Sequence, residues 1–326
     1  MRGSDRPLAE IYDVAVLDLD GVIYIGRDPV PGAAEALAKA RAGGMRLAFA
    51  TNNASRTPSA TAALITEVGV PAAAEDVVTS AQAAARLLAE RLPAGSKVLV
   101  VGGTGLRHAL RAAGLRPVST AAERPAAVVQ GFTPGLSYDL LAEGGRAVAA
   151  GALFVASNAD TTIPSPGGPP RPGNGALVQV IRTATGVDPI VTGKPELPLH
   201  RETILRTGAE RPLIVGDRLD TDIEGANNGG ADSLLVLTGV TDARALLGAP
   251  PPHRPTYLAD DLSGLLVPHP EVRRADRSYR CGGWTIGPDF TVTGSGDRVD
   301  ALRALCVAAW ESGETAKAEE ALTRLP

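Results

Sequence analysis

Residues 14–21 read Val-Ala-Val-Leu-Asp-Leu-Asp-Gly, an apolar run that ends in two carboxylates and a glycine. An unbroken apolar run of this length is typical of a strand in a parallel sheet that is covered on both faces. Open α/β sheets bind ligands at the carboxyl ends of their strands, so Asp18 and Asp20 lie where a ligand is expected. Neighbouring carboxylates repel each other unless a cation or a shared proton intervenes, and oxygen ligands suit a hard divalent cation. The simpler alternative is a turn, because Asp and Gly are common turn residues.

Similar apolar runs recur along the chain and alternate with Ala- and Leu-rich stretches. The predicted strands cover residues 14–17, 47–50, 98–101, 127–129, 153–156, 213–215 and 234–237. The predicted helices cover residues 32–42, 60–68, 81–92, 106–113 and 176–185, and several of them end at a glycine, which accepts the left-handed backbone that stops a helix. Repeated strand–helix units predict an α/β fold.

Length and composition exclude several classes of protein. A length of 326 residues indicates about two domains. With 44% apolar and 21% charged residues, the chain can bury a core and is not a disordered chain. A net charge of −4 and 3% aromatic residues argue against a nucleic-acid partner. The longest mostly apolar stretch, residues 147–156, is too short to span a membrane, and the acidic N-terminal residues are unlike a signal peptide. We therefore expect a cytoplasmic protein with no membrane partner.

Three further polar clusters follow predicted strands or lie near them. Residues 51–53 (Thr-Asn-Asn) offer hydroxyl and amide donors for an anionic oxygen. Residues 193–195 (Gly-Lys-Pro) supply a cation that suits a phosphate. Residues 216–222 add further carboxylates after the strand at 213–215. Each cluster has a simpler explanation, since Lys194 could be a solvated surface lysine and Asp222 could cap a helix. The ordered set of four is what indicates a common site.

The four stretches DLDGVIYIG (18–26), TNNASRTP (51–58), TGKP (192–195) and GDRLDTDI (216–223) resemble the four motifs of the haloacid dehalogenase (HAD) superfamily. The resemblance covers about residues 10–265 and is closest to the branch of small-molecule phosphatases similar to the NagD and p-nitrophenyl phosphatases. It implies a doubly wound, Rossmann-like core at 1–78 and 193–268 and an inserted α/β (type C2) cap at 79–192. Residues 269–326 lie outside it as a small C-terminal extension.

The resemblance also implies a catalytic apparatus. Asp18 would attack phosphorus and form an aspartyl-phosphate, which splits one difficult displacement into two. Asp20 would protonate the leaving alkoxide and then take a proton from the attacking water. Mg²⁺ would be held by the Asp18 carboxylate, the Asp20 backbone carbonyl and Asp217, with Asp222 supporting this shell. Superfamily dehalogenases lack the second Asp, so Asp20 favours phosphoryl transfer.

The same resemblance assigns the phosphate-binding groups. Thr51, Asn52 and Lys194 would hold the phosphoryl oxygens, with Lys194 also counted among the catalytic residues. Gly21 would let the backbone approach the phosphate. The implied activity is that of a Mg²⁺-dependent phosphatase acting on a small phosphorylated metabolite.

The cap loop that begins near residues 158–160 is expected to face the substrate. Thr162, Ile163 and Arg171 are the candidate specificity residues, the alternative being a loop at 163–175 that only closes the cap sheet. Ile163 is apolar where some relatives place a polar residue, which favours a small polyol phosphate, with a glycerol phosphate as first choice. Phosphoglycolate, sugar phosphates and nucleoside monophosphates stay open.

Other interpretations compete with that of a phosphatase. The glycine-rich run at 101–105 invites a dinucleotide-dependent oxidoreductase, but His108 stands where close helix–strand packing needs Gly or Ala. A phosphometabolite-binding regulator would not need Asp20. Asp297 repeats the Gly-Asp-Arg pattern without a preceding apolar strand, so we expect it to cap a helix.

The C-terminal extension has a different texture. It carries four arginines between residues 273 and 280, then a predicted strand pair and a predicted helix at about 299–312. Three hypotheses stay open: a regulatory or dimerising module, which would make the protein a homodimer; a fragment of another enzyme fold of acyltransferase type; or a small packing extension. About 55 residues are too few for a complete catalytic domain.

Overall fold

The computed structural model describes residues 1–163 and 168–325. The chain forms two compact units. The first contains Met1–Leu47, Val68–Val70 and the residues from Ala209 onward. The second contains Ala48–Glu67 and Pro71–Gly208. The predicted loop at 163–175 falls partly on residues 164–167, which lie outside the described residues.

The elements of the described chain follow in sequence order. The strands are β1 Val14–Leu17, β2 Tyr24–Ile25, β3 Asp28–Pro29, β4 Arg46–Thr51, β5 Val77–Thr79, β6 Lys97–Val101, β7 Arg116–Val118, β8 Ala127–Gln130, β9 Leu153–Ala156, β10 Thr162–Ile163, β11 Arg171–Pro172, β12 Ile190–Val191, β13 Pro212–Gly216, β14 Asp232–Val236, β15 Tyr257–Ala259, β16 Arg273–Ala275, β17 Ser278–Cys281, β18 Trp284–Ile286 and β19 Val292–Gly294. The helices are α1 Leu8–Ile11, α2 Ala33–Ala42, α3 Pro58–Glu67, α4 Ser80–Arg91, α5 Thr104–Ala112, α6 Tyr138–Ala149, α7 Asn174–Thr185, α8 Leu197–Thr207, α9 Glu224–Asn228, α10 Ala243–Leu247, α11 Arg298–Ser312 and α12 Thr315–Leu322.

The first unit is built on parallel strands in the order β15-β14-β13-β1. In this sheet Leu17 pairs with Val215 and Leu234 pairs with Tyr257. All four residues of β1 are buried, as an unbroken apolar run in a covered parallel sheet requires. The predicted α/β class is confirmed, and every predicted strand and helix overlaps an element of the same type in the structure.

The second unit contains a parallel sheet in the order β12-β9-β8-β6-β7, which forms the cap sheet. Alternate residues of a strand point to opposite faces. Val98 and Val100 of β6 accordingly pack in one cluster with α4 and α5, whereas Leu99 and Val101 pack in another with α6 and α7. In the same unit β4 pairs with β5 in parallel, Thr51 opposite Thr79.

Helix α6 escaped the sequence analysis because it contains adjacent glycines at 144 and 145, which are weak helix formers. The structure explains the first of them. A Cβ atom at Gly144 would lie 2.7 Å from Val101 Cγ2 and 2.8 Å from Ile181 Cδ1. The missing side chain therefore allows α6 to approach β6 and α7 closely.

The C-terminal extension joins the first unit rather than standing apart from it. Strands β16-β17-β18-β19 form an antiparallel sheet in that order, and α11 packs on β17 and β18. Trp284 and Leu305 of the extension share one hydrophobic cluster with Leu235 and Leu258 of the parallel sheet. The predicted helix is confirmed as α11, and the described residues form four strands where the sequence predicted a pair.

Candidate active site

Two aspartates leave the sheet of the first unit side by side. Strand β1 ends at Leu17 and β13 ends at Gly216, so Asp18 and Asp217 each follow a parallel strand directly. The two strands are neighbours, and the backbone N–H of Asp18 donates to Val215 O at 2.8 Å. Because carboxyl ends of parallel strands meet at one edge of a sheet, the local sequence places both carboxylates together.

Asp222 completes an acidic cluster with these two residues. Carboxylate oxygens of Asp18, Asp217 and Asp222 all lie within 4.8 Å of one another. Asp217 and Asp222 are buried, and Asp18 is half-buried. Three carboxylates this close repel each other unless a cation is bound among them. Oxygen ligands at this spacing fit a hard divalent cation such as Mg²⁺.

Backbone groups fix the orientation of the buried carboxylates. Val240 N donates to Asp217 Oδ2 at 2.6 Å, and Arg218 N donates to Asp222 Oδ2 at 3.2 Å. Asp222 sits on a short π-helical turn, Leu219–Ile223, that follows β13. These hydrogen bonds hold each carboxylate in one direction, which is how surrounding groups orient metal ligands.

Asp220 lies on the same turn but has a different role. Its carboxylate accepts two hydrogen bonds from the Arg218 guanidinium, at 3.1 and 2.8 Å. Burial by itself would raise the pKa of Asp220, but the hydrogen bonds and charge of Arg218 outweigh that effect and hold the pKa below its ordinary value. Asp220 is therefore an ion-pair residue next to the acidic cluster.

Gly21 packs against the acidic cluster. It has a φ of +81°, and a Cβ atom there would lie 2.4 Å from Asp217 Oδ2. Gly239 does the same from the other side, with its Cβ position 2.0 Å from that oxygen. Thr238 Oγ1 donates to Gly21 O. Thr238 and Gly239 were not predicted as site residues, although a Thr-Gly pair directly after the predicted strand 234–237 was a usable signal.

Asp20 is exposed and lies directly before Gly21 in the segment that follows β1. It forms an isolated bridge with Tyr24, and Gly21 N donates to Tyr24 O at 2.8 Å. Its carboxylate is not one of the three in the acidic cluster. An exposed carboxyl group can exchange protons with solvent, as a general acid and base must.

The second unit brings together Thr51, Asn52 and Lys194. Lys194 N donates to Asn52 Oδ1 at 2.7 Å, and Asn52 Nδ2 donates to Lys194 O at 3.1 Å. The Lys194 ammonium donates to Ala50 O at 3.1 Å. Thr51 ends β4 and its Oγ1 accepts from Asn53 N at 3.1 Å. Lys194 is thus half-buried and bound at both ends, unlike a solvated surface lysine.

The start of the cap loop joins this set. Asn158 Nδ2 donates to Asn52 O at 2.7 Å, and Asn52 Nδ2 lies 3.2 Å from both carboxylate oxygens of Asp160. From sequence, Asn158 and Asp160 served only to mark where the loop begins. The signal that could have revealed them is an Asn-x-Asp sequence close to the end of the buried strand β9.

The three candidate specificity residues lie further along the same loop. Thr162 and Ile163 form β10, which pairs with β11 so that Ile163 faces Arg171 in the register. Thr162 and Arg171 are exposed and Ile163 is half-buried. Their contact with a substrate stays a prediction.

Two other sequence features have structural roles. A Cβ atom at Gly105, in the first turn of α5, would lie 2.4 Å from Ala54 O and from Arg56 O. That glycine therefore permits close backbone packing. Asp297 accepts a hydrogen bond from Val299 N at 2.9 Å at the start of α11, so its predicted role as a helix cap is confirmed.

Comparison with known proteins places the chain in a family. A model of the haloacid dehalogenase-like hydrolases matches residues 15–116, and a HAD-hydrolase-like model matches residues 191–265. The D-glycerol 3-phosphate phosphatase of Mycobacterium tuberculosis is 44% identical over 319 residues, 94% of this chain and 88% of that protein. The chain belongs to the haloacid dehalogenase-like hydrolases. Within them it is a HAD-type phosphatase of the NagD and p-nitrophenyl phosphatase branch.

Another relative and two solved structures support the same family assignment. The 5′-nucleotidase YutF of Bacillus subtilis is 35% identical over 77% of this chain and 96% of its own length. The M. tuberculosis glycerol phosphate phosphatase, solved in complex with magnesium, superimposes with a TM-score of 0.86 at 42% identity over 98% of this chain and 99% of that one. The p-nitrophenyl phosphatase of Archaeoglobus fulgidus gives a TM-score of 0.72 at 29% identity, over 78% and 98% of the two chains.

The C-terminal extension of this phosphatase resembles a different family. A model described as a GCN5-related N-acetyltransferase like domain matches residues 281–326. Of the three hypotheses for the extension, the match favours the acyltransferase-type fragment.

No helix in the described part of the chain has both the length and the apolar character needed to cross a membrane.

Proposed function

We propose that this HAD phosphatase is Mg²⁺-dependent and hydrolyses a small phosphomonoester in the cytoplasm, with a glycerol phosphate as first choice. The observation that carries the metal requirement is the acidic cluster of Asp18, Asp217 and Asp222, whose oxygens lie within 4.8 Å of one another. The substrate choice is supported by the 44% identity to a D-glycerol 3-phosphate phosphatase over nearly the whole chain.

In this mechanism Asp18 and Asp20 divide the chemistry. Asp18 attacks phosphorus, forms an aspartyl-phosphate and expels the alcohol, and water then attacks that phosphorus and returns the free carboxylate. Asp20 donates the proton that the leaving alkoxide needs and later accepts one from the water. Asp217, with Asp18 and the Asp20 carbonyl, would hold Mg²⁺, and Asp222 supports them. When bound, the ion offsets charge on the transferring phosphoryl group.

Lys194 and Thr51 hold the phosphoryl oxygens in this proposal. The Lys194 ammonium is a compact cation suited to a phosphate, and the Thr51 hydroxyl can donate a hydrogen bond. The side-chain amide of Asn52 is already hydrogen-bonded to Lys194 and Asp160, so we assign its main-chain N–H to the phosphate. Gly21 lets the backbone approach the reacting group.

The division of labour between core and cap follows the family pattern. We assign catalysis to residues 1–78 and 193–268 and substrate selection to the cap at 79–192. Within the cap, Thr162, Ile163 and Arg171 are the proposed specificity residues. The apolar Ile163 side chain disfavours a bulky, hydrogen-bonding cofactor such as pyridoxal phosphate, which leaves small polyol phosphates as the favoured substrates.

The test is a phosphometabolite panel with the purified protein, with and without EDTA. The panel contains both glycerol phosphates, phosphoglycolate, sugar phosphates, nucleoside monophosphates and p-nitrophenyl phosphate. We expect the highest kcat/KM on a glycerol phosphate and loss of activity with EDTA that added Mg²⁺ restores. Activity that is insensitive to chelation would contradict the metal assignment, and activity confined to aromatic esters would contradict the substrate.

The same assay tests the nucleophile. Asp18→Asn removes the attacking carboxylate while it keeps the size of the side chain, so we expect no measurable turnover. Thermal unfolding of the variant should match that of the wild type. Hydrolysis by folded Asp18→Asn above the background rate would overturn the assignment of Asp18.

A further inference from the structure

The side chain of Asn52 connects three segments of the second unit. A carboxamide has one oxygen that accepts and an NH₂ group that donates twice. Lys194 N–H can only donate, so Asn52 Oδ1 must face it, at 2.7 Å. The NH₂ group then donates to Lys194 O at 3.1 Å and to the Asp160 carboxylate at 3.2 Å. Every polar atom of the amide therefore has a partner, and its orientation is fixed.

The backbone of Asp160 is held independently of its carboxylate. Gly175 N donates to Asp160 O at 2.8 Å, and Asp160 N donates to Asn158 Oδ1 at 3.2 Å. Cβ atoms at Gly173 and Gly175 would lie 2.2 Å from Asp160 O and 2.1 Å from Ala159 O. The loop is therefore packed tightly against the start of α7, and removal of the Asp160 carboxylate should leave its path unchanged.

The same pattern holds on the lysine side. Asn52 binds both the N–H and the C=O of Lys194, and the ammonium of Lys194 donates to Ala50 O, two residues before Asn52. The main chain and the ammonium group of Lys194 are thus both hydrogen-bonded to residues 50–52. A rotation of the Asn52 amide would break both main-chain bonds to Lys194 at once.

We propose that Asp160 is a positioning residue: its carboxylate holds the Asn52 amide in the orientation that fixes Lys194. This inference rests on the proposed function, in which Lys194 binds the phosphoryl group. Asp160 lies in the cap loop, so the loop tunes the phosphate site as well as selecting the alcohol. Misplacement of a binding group by about 1 Å can cost roughly 100-fold in rate, and loss of a supporting hydrogen bond typically costs about 10- to 100-fold.

The test compares Asp160→Ala with Asp160→Asn. The alanine variant removes the acceptor, so we expect kcat to fall about 10- to 100-fold and binding of inorganic phosphate to the Mg²⁺-loaded protein to weaken. The asparagine variant keeps a carbonyl oxygen that can accept from Asn52, so it should stay within about 3-fold of the wild type, well short of that loss. Asp188→Ala removes an exposed cap carboxylate that is paired with Arg182 and should change neither quantity.

A double-mutant cycle with Lys194→Met shows whether Asp160 acts through the lysine. If it does, Asp160→Ala causes no further loss of phosphate affinity once Lys194 is replaced, because coupled residues are not additive. An equal loss on both backgrounds would overturn the proposal, because it would show that Asp160 affects phosphate binding by a route other than Lys194. An alanine variant as active as the wild type, or an asparagine variant as weak as the alanine one, would overturn it too.

Two measurements separate this proposal from the proposed function. Calorimetric binding of inorganic phosphate needs no turnover, so a wild type that binds phosphate but hydrolyses nothing would refute the function and leave the positioning role measurable. Thermal unfolding of each variant shows that the fold persists. If Asp160→Ala does not fold, Asp160→Ser, whose shorter side chain brings its hydroxyl less close to Asn52, replaces it in the same cycle with the same expected losses.

Discussion

The carboxylate of Asp217 fits its place because two residues beside it have no side chain. Cβ atoms at Gly21 and Gly239 would lie 2.4 and 2.0 Å from Asp217 Oδ2, well inside van der Waals contact. Val240 N fixes that same oxygen with a 2.6 Å hydrogen bond. The carboxylate therefore cannot move away from an added methyl group without loss of this bond, and the acidic cluster depends on glycine at both positions.

Gly21→Ala should weaken the metal site far more than it weakens the fold. The added methyl group displaces the Asp217 carboxylate, so we expect the Mg²⁺ concentration for half-maximal activity to rise about 10- to 100-fold. The matched control is Gly32→Ala, because Gly32 has a similar φ of +77° but has open space around its Cβ position. Both variants bear the cost of a left-handed alanine, about 1–2 kcal/mol. Equal Mg²⁺ dependence in the two would refute the steric argument.

Asp222 and Asp220 lie on the same turn, so the effects of replacing each of them can be compared directly. Asp222→Asn removes a buried charge from the acidic cluster while Arg218 N keeps an acceptor, so Mg²⁺ activation should again weaken about 10- to 100-fold. Asp220→Asn removes a carboxylate that is paired with Arg218 and should leave the activation curve within about 3-fold of the wild type, well short of that. Mg²⁺ titrations of both variants decide the point, and a larger effect at Asp220 would exclude Asp222 from the site.

At the scale of elements, the sequence predicted the strands of four or more residues in the parallel sheets, but it missed most of the shorter strands and the helices α6 and α8. Apolar runs at 14–17 and 98–101 match β1 and nearly all of β6, because a covered parallel strand needs apolar residues on both faces. Strands such as β5 and β15 have three residues each, too few for a periodic signal. Helix α6 was hidden by its glycine pair, of which Gly144 is required by tertiary packing.

The residues of the candidate site also differ in how far the sequence could predict their positions. Asp18 and Asp217 could be placed together from sequence because each directly follows a strand, and neighbouring parallel strands end at one edge. For Asp160 and Gly239 the sequence offered only their place shortly after a strand, and their contacts could not be derived because these depend on the path of a loop. Sequence order gives no distance between a loop residue and a strand that lies far away along the chain.

Removal of the C-terminal extension should unfold the first unit. Leu235, Leu246 and Leu258 are buried in the cluster that the extension covers, and full exposure of such side chains costs about 1.5–3 kcal/mol each. Several such losses equal the whole stability of a typical domain, about 5–15 kcal/mol. We therefore expect a chain of residues 1–268 to be insoluble or to lack a cooperative thermal transition, by circular dichroism.

A shorter truncation provides the graded control for that experiment. A chain ending at residue 313 loses α12, whose buried residues include Ala318 and Ala321, but keeps α11 and the antiparallel sheet. It should fold with a lowered Tm. A chain of residues 1–268 that is soluble and melts at the wild-type temperature would show instead that the extension is dispensable packing.

At the scale of the whole molecule, one buried polar network contributes to the way stability responds to acid. Arg303 donates to Leu258 O, to Asp300 and to His269 Nδ1, the last at 3.2 Å. An arginine cannot accept, so Nδ1 is the acceptor and the ring proton sits on Nε2, which donates to Gly264 O at 2.8 Å. His269 is therefore neutral in the folded protein and faces a permanent positive charge.

The pKa of His269 follows from this environment. Burial lowers it most, the hydrogen bond to Gly264 raises it, and the Arg303 charge lowers it further, so it lies below the ordinary value of about 6.5. In the unfolded chain the histidine takes up a proton near pH 6.5, whereas in the folded state it does so only at lower pH. Below about pH 6.5 the unfolded state thus binds more protons, and stability falls as the pH falls.

His269→Gln should remove this acid sensitivity. Glutamine can accept from Arg303 and donate to Gly264 O, but it does not titrate. Below pH 6.5 the slope of the free energy of unfolding against pH should therefore decrease by up to about 1.4 kcal/mol per pH unit. Urea titrations at pH 7.5, 6.5 and 5.5 measure it, followed by circular dichroism, because Trp284 and Trp310 both lie in the unit of His269 and His200 lies in the second unit. His200→Gln is the comparison, because burial lowers the pKa of His200 as well, and it should remove a slope of its own without the Arg303 contribution. If His269→Gln and the wild type lose stability in parallel as the pH falls, the buried network does not control the acid response.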